Sequence, residues 1–169
     1  MLFRAVDHID VFELSCSLRP RMNLFGPAKE GIRLLGLRWA DDGVWKAHKE
    51  TRKWTELRNS ITRVKRLGKA LFPDEDLEEG AIFLEMLDPG SSTQWSDDPV
   101  DYLRVILPIR TNPRALMHAV PTSGLPEAVH LPQGQLTLCA PALSSATNLG
   151  LSPRIHLCID IRQKQEEQP

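Results

Sequence analysis

The side chains best equipped for chemistry in this sequence are a short acidic run, five histidines and a pair of adjacent serines. Asp97, Asp98, His118 and His130 could serve as acid or base, since desolvation inside a folded core would move their pKa values toward neutrality. Isomerisation, dehydration, cyclisation or hydrolysis of a bound metabolite would suit such groups. The plainer reading of Ser96-Asp97-Asp98-Pro99 is a hydrated turn, because those residue types favour turns and turns face water. Ser144 and Ser145 have no G-x-S-x-G elbow around them, which argues against a serine hydrolase. No Walker loop, dinucleotide fingerprint or H-E-x-x-H motif occurs. A metal site built from Asp98, His118 and one further residue is a competing use of the same groups. His156 is expected on the face of its strand away from Arg154. Cys16, Cys139 and Cys158 are odd in number and form no C-x-x-C pair, so packed, reduced thiols are expected rather than a zinc site or disulfide framework.

The elements that would position these groups change character partway along the chain. Residues 8–18 alternate weakly and fit an early strand or a short helix, ended by Arg19-Pro20-Arg21. Residues 31–39 read as a strand, followed by a turn at Asp41-Asp42-Gly43. Trp54, Leu57, Ile61, Val64, Leu67 and Leu71 recur every three or four residues with basic residues between them, which predicts an amphipathic helix packed on a sheet. Thr51 is its expected cap and Pro73 its stop, with residues 74–79 a solvated acidic loop. From Gly80 onward, strands are expected at 81–87, 102–109, 115–120, 135–139 and 154–161. Turn signals stand at Asp88-Pro89-Gly90, Thr111-Asn112-Pro113, Thr122-Ser123-Gly124 and Pro132-Gln133-Gly134. Short strands at this spacing predict a sandwich or barrel.

The bulk numbers narrow the function classes. With 41% hydrophobic and 25% charged residues, a chain of 169 residues can bury a core as one domain. A formal net charge of -1 leaves no electrostatic footprint for nucleic acid or an acidic membrane. Apolar runs such as Val105-Ile106-Leu107 are too short to span a bilayer, and the early charges of Arg4 and Asp7 argue against a secretory signal. A cytoplasmic protein is expected.

Three stretches resemble the aspartyl/asparaginyl β-hydroxylase family, which includes cis-proline hydroxylases. Leu87-Asp88-Pro89-Gly90 is similar to the L-x-P-G turn before that family's first iron ligand. The run from Leu103 to Pro113, with Arg104, Pro108 and Thr111-Asn112-Pro113, resembles its R-x-H-x-P-x-x-T-N-P strand. Asn148-Leu149-Gly150 followed by Arg154-Ile155-His156-Leu157 and Asp160 resembles its closing segment. The resemblance is carried by residues 80–161, outside which His8 and His48 lie. It implies a double-stranded β-helix, a jelly roll of the cupin kind, that holds iron(II) by two histidines and a carboxylate and binds 2-oxoglutarate through arginine.

The departures from that pattern shape the expectation. The first histidine position falls on Ser96, with Asp98 at the carboxylate position, and the distal histidine position falls on Ser144. Serine hydroxyls are weak ligands for iron(II). Ile106 replaces the histidine of the R-x-H strand. Arg154 and Arg104 stand at the family's arginine positions, and an inward guanidinium needs an acidic acceptor. That acceptor is either an anionic small molecule or a structural acid such as Asp160 or Asp101, unless the arginines point outward. Trp95, beside a lost ligand, would stack on a ligand or plug the vacated cavity.

The expectation is therefore one jelly-roll domain over 1–169: N-terminal strands and helix at 1–79, β-helix core at 80–162 and a polar tail at 163–169. It would bind an anionic small molecule through Arg154, Arg104, Trp95, Ser96 and Ser144. It would have no cofactor, and as an enzyme it would use metal-independent acid–base chemistry by Asp98, His118 and Asp97. The alternatives are an iron(II) and 2-oxoglutarate hydroxylase with an atypical ligand set, and a non-catalytic scaffold that pairs with a homologue or as a homodimer.

Overall fold

The computed structural model describes residues 2–29, 31–41, 44–46, 53–71, 77–97, 102–121, 125–140 and 142–163. The N-terminal part comprises β1 (Phe3–His8), α1 (Phe12–Leu18), a 3-10 segment (Arg19–Leu24), β2 (Ile32–Asp41), β3 (Val44–Lys46) and α2 (Thr55–Leu71). Then come β4 (Leu77–Leu87), β5 (Ser91–Ser92), β6 (Ser96–Asp97), β7 (Tyr102–Arg110), β8 (Ala115–Val120) and β9 (Glu127–Val129). The chain closes with β10 (Gln135–Cys139), β11 (Leu143–Asn148) and β12 (Arg154–Gln163).

These strands form two antiparallel sheets. The larger runs β1-β10-β7-β12-β4-β2-β3 and the smaller β5-β11-β8-β9, with β6 also paired to β11. Crossovers between the sheets make a double-stranded β-helix, as the resemblance implied.

Side-chain alternation divides the interior into two layers. Val105, Leu107 and Ile109 on β7, Ile82, Leu84 and Met86 on β4, and Leu136 and Leu138 on β10 point to one face of the large sheet. There they meet Leu14 and Leu18 of α1, and Trp54, Leu57 and Val64 at α2. The helical stripe read from the sequence thus packs on a sheet. Trp54 is fully buried, its indole N–H donates to Ser17 Oγ at 2.7 Å, and the Arg21 guanidinium lies 4.9 Å over its ring. On the opposite face of the large sheet, Ile106, Phe83, Cys139 and Cys158 meet Met117 and Ala119 of the small sheet.

The three resemblance segments converge at one end of the barrel. Asn148, fully buried, donates from Nδ2 to the carbonyls of Leu87 (2.9 Å) and Ser152 (3.0 Å), and its Oδ1 accepts from Asn112 Nδ2 at 3.0 Å. The Gly90 N–H donates to the Asn148 carbonyl at 2.7 Å, and Gly90 has φ +74°. A Cβ on Gly150 would stand 2.1 Å from Asn112 Oδ1, so glycine is needed there. These motif residues latch three chain crossings together.

Several expectations need correction. Residues 8–18, read as an early strand or a short helix, form the helix α1 over Phe12–Leu18, with only His8 at the end of β1. Residues 77–79, expected in a loop, begin β4, because they pair with β12 as far as Leu77↔Gln163. The short strands β5, β6, β9 and the longer β11 carry too little apolar alternation to be read locally. Ser96-Asp97, expected as a turn, pairs with β11. Thr51, Pro73, His48, Asp98, Asp101, the Asp42-Gly43 turn and Thr122-Ser123-Gly124 lie outside the described residues.

Candidate functional site

The inner face of the large sheet is unusually polar for a layer between two sheets. On β12 it presents Arg154, His156, Cys158 and Asp160, alternating with the apolar Ile155, Leu157, Ile159 and Ile161 of the other face. Residues two apart share a face of a strand, so His156 stands on the same side as Arg154 and the expectation of opposite faces is corrected. In register beside them lie Glu85 on β4, opposite His156, and Arg104 on β7, opposite Asp160.

Arg104 is satisfied by protein. Its Nε donates to Asp160 Oδ1 at 2.7 Å and its NH2 to Oδ2 at 3.3 Å, and the guanidinium lies 5.4 Å from the Phe83 ring centre. Of the roles open to it in the sequence, the structural pairing with Asp160 is the one observed.

Arg154 differs. It is only 1% exposed, yet its donors are unevenly used. NH2 donates to Glu85 Oε1 and NH1 to the Met117 thioether at 2.8 Å. Nε meets no acceptor among the described residues. A thioether is a weak acceptor, so one carboxylate carries nearly all the satisfaction of a buried cation with five N–H donors. The partner acid among the described residues is Glu85, Asp160 being taken by Arg104.

His156 is 2% exposed, and its Nε2 also lacks a partner among the described residues. Burial, then the charge of Arg154, then that of His130 hold its pKa well below 6.5, so it is neutral at physiological pH. Burial foremost, with the negative charge of Glu85 next, pushes the Cys158 thiol well above 9.0. Cys139 and Cys158 are both buried and outside any disulfide, as expected for packed thiols, while Cys16 is exposed.

The remaining candidates divide between two other places. Ser96 and Ser144 are direct cross-strand partners on β6 and β11, and Ser144 also faces Ala119 on β8. Ala119 belongs to the inter-sheet cluster, so the two serines share that inward-facing side, with Ser96 at its exposed rim. Two positions 48 residues apart in sequence, chosen only by spacing from the family motifs, are thereby brought together (144 minus 96). His118 stands on the other face of β8 from Met117, with Nε2 3.0 Å from Thr147 Oγ1. Trp95 is 51% exposed and its ring centre lies 6.3 Å from that of His118, so it does not plug the interior. Asp97 is exposed on β6, and His130 Nδ1 lies 3.2 Å from the Ala115 carbonyl. The acid–base set drawn from Asp97 and His118 is therefore separated from Arg154. Glu85 and Met117 were missed, although a lone carboxylate between Phe83 and Leu87 in an apolar strand was a legible signal.

No family model matches the sequence, and no curated protein matches it. Solved structures do. A 2OG-Fe(II) oxygenase family oxidoreductase from Burkholderia pseudomallei has a TM-score of 0.68 at 12% identity, over 95% of this chain and 93% of the other. A prolyl-4-hydroxylase from Pseudomonas putida gives 0.68 at 15% identity, over 96% and 93%. A non-haem α-ketoglutarate-dependent epimerase from nogalamycin biosynthesis gives 0.69 at 15% identity, over 95% and 78%. At these identities the likeness shows the fold: a double-stranded β-helix of the 2-oxoglutarate oxygenase kind.

The expectation of a protein without cofactors is corrected by these likenesses, since one of the structures sharing the fold is a 2OG-Fe(II) oxygenase and another a non-haem α-ketoglutarate-dependent epimerase, which points to iron(II) and 2-oxoglutarate. The residues present fit the two unequally. Among the described residues no group of three or more His, Cys, Asp or Glu could hold a metal ion, and serines stand at the expected histidine positions, so the described residues do not fit iron. For an organic anion they fit, because the buried Arg154 keeps an unpartnered Nε and a second nitrogen on a thioether.

Proposed function

We propose that this protein binds a small carboxylate-bearing molecule, 2-oxoglutarate or a close chemical relative, between its two sheets with Arg154 as the anchor. One observation carries the reading: a guanidinium buried to 1% exposure whose Nε finds no acceptor among the described residues and whose NH1 donates there to sulfur. A carboxylate placed there would accept two parallel N–H bonds, the arrangement for which arginine is suited. His156, kept neutral beside it, would offer a hydrogen bond rather than a charge. Glu85 is the carboxylate that meets Arg154 on this face. The chain is read as one domain of the 2-oxoglutarate oxygenase fold, near the aspartyl/asparaginyl β-hydroxylases, whose Ser96–Ser144 pair has replaced the histidines that grip iron there.

Among the described residues no helix is long and apolar enough to cross a membrane. Three cysteines with no disulfide among them suit a reducing compartment, which supports the cytoplasm as the protein's location.

Calorimetric titration with 2-oxoglutarate tests the reading, alongside Arg154→Gln and metal analysis of anaerobically purified protein. Saturable binding that Arg154→Gln abolishes is the expected result. Equal binding by both proteins would remove Arg154 from the site. Stoichiometric iron with turnover of 2-oxoglutarate would overturn the serine replacement as a loss and restore the hydroxylase alternative, with ligands such as Asp98.

A further inference from the structure

We infer that Glu85 is a resident competitor for the anion site, so that a ligand carboxylate must take its place on Arg154. The inference rests on the reading of Arg154 given above and adds the residue that sets the site's selectivity.

The argument begins with the strand pairing. Glu85 stands opposite His156 on neighbouring β4 and β12, two pairs along from Arg154↔Leu87 and on the same face, and reaches diagonally to the guanidinium. Its carboxylate is chemically what an anionic ligand would present, and it holds NH2 while Nε and NH1 are left without a strong acceptor. A single oxygen on one terminal nitrogen is a partial grip, where a ligand carboxylate could accept from two nitrogens at once.

Burial is asymmetric across the pair. The Arg154 side chain is 1% exposed, whereas that of Glu85 retains 19% exposure. Arginine is fixed in the interior, and the glutamate is the partner with a path to water. Removing the charge of an acid whose sole task is to neutralise Arg154 would leave a buried cation unsatisfied and weaken the fold. Removing the charge of a competitor would strengthen binding instead. The two roles move ligand affinity differently, which makes the inference testable.

The size of the effect follows from occupancy. If Glu85 holds Arg154 for about nine-tenths of the time, the apparent Kd for the ligand stands about tenfold above that of the uncovered site. Selectivity follows as well. With Glu85 in place the pair is neutral overall, so weak monocarboxylates gain little, and only a ligand with further contacts in the barrel displaces it.

The experiment titrates wild type, Glu85→Gln and Glu85→Ala with 2-oxoglutarate and with acetate at one pH and ionic strength, folding being checked by circular dichroism. The result expected is about tenfold tighter binding of 2-oxoglutarate by whichever variant folds, together with measurable acetate binding that wild type lacks. Unchanged or weaker binding in a folded variant, with wild type itself binding, would overturn the competitor role and leave the Arg154 site standing. No binding by wild type or by either variant would overturn the site itself, and this inference with it.

Discussion

Along β12, Ile155, Leu157, Ile159 and Ile161 pack beneath the helices, while Arg154, His156, Cys158 and Asp160 between them face the small sheet. Both faces are buried, yet they are built from opposite materials. The apolar face does what a sheet must do to hold helices, removing hydrocarbon from water at ~25 cal/mol per Å². The polar face forgoes much of that gain and keeps two arginine–acid pairs and a neutral histidine in a layer that isoleucine or leucine could fill. Buried ion pairs are often no more stabilising than well-packed hydrocarbon. Their presence on one face only, toward the interior of the β-helix, argues that this face serves a ligand and the other serves the fold.

The comparison can be broken at either face. The largest expected effect belongs to the apolar one: Leu157→Ala should lower stability by about 2–5 kcal/mol in chemical denaturation. Its affinity for 2-oxoglutarate should stay near that of wild type. On the polar face, Arg154→Met leaves Glu85 without its partner, and the loss should fall at or below the lower end of the ~3–5 kcal/mol typical of a broken buried pair. Glu85 can turn toward water, which limits the damage. Adding Glu85→Leu to Arg154→Met should recover that stability while ligand binding stays abolished. A double variant less stable than Arg154→Met alone would show that the pair serves the fold.

Smaller effects should appear as pH dependences confined to the polar face. The His156 pKa is depressed in the folded protein, so below about 6.5 the unfolded chain takes up a proton that the native state does not. Stability should therefore be full above that pH and fall as pH drops, by up to ~1.4 kcal/mol per unit from this one group. His156→Leu should flatten that part of the profile. The Cys158 pKa is raised by burial foremost, so stability should decline as pH climbs past 9.0, where only the unfolded thiol ionises. Cys158→Ala should remove this smallest slope, as measured by urea titrations across the alkaline range.

How much could be read from the residues themselves follows the same division. The strands of the large sheet were legible because Val105, Leu107 and Ile109, or Ile155, Leu157 and Ile159, repeat with the period of a pleated strand. The helix over Trp54–Leu71 was legible by its period of three to four. β11 was not, because Leu143-Ser144-Ser145-Ala146-Thr147-Asn148 is small and polar, and its pairing with β5, β6 and β8 makes it a strand. Ser96 and Ser144 were found by spacing from motifs, and the β6–β11 register brings them together. Glu85 escaped notice because its meaning depends on a partner 69 residues away. His156 was misplaced by an error of face that strand alternation itself corrects. The Asn112–Asn148 latch gives the motif asparagines a structural task, since they tie three chain crossings together.

A crystal structure of the protein grown with saturating 2-oxoglutarate tests the central claim most directly. The account predicts a ligand carboxylate within hydrogen-bonding distance of Arg154 Nε, between the two sheets, with Glu85 turned away from the guanidinium. Arg154 still held by Glu85 and Met117, with the ligand bound elsewhere or not at all, would contradict it.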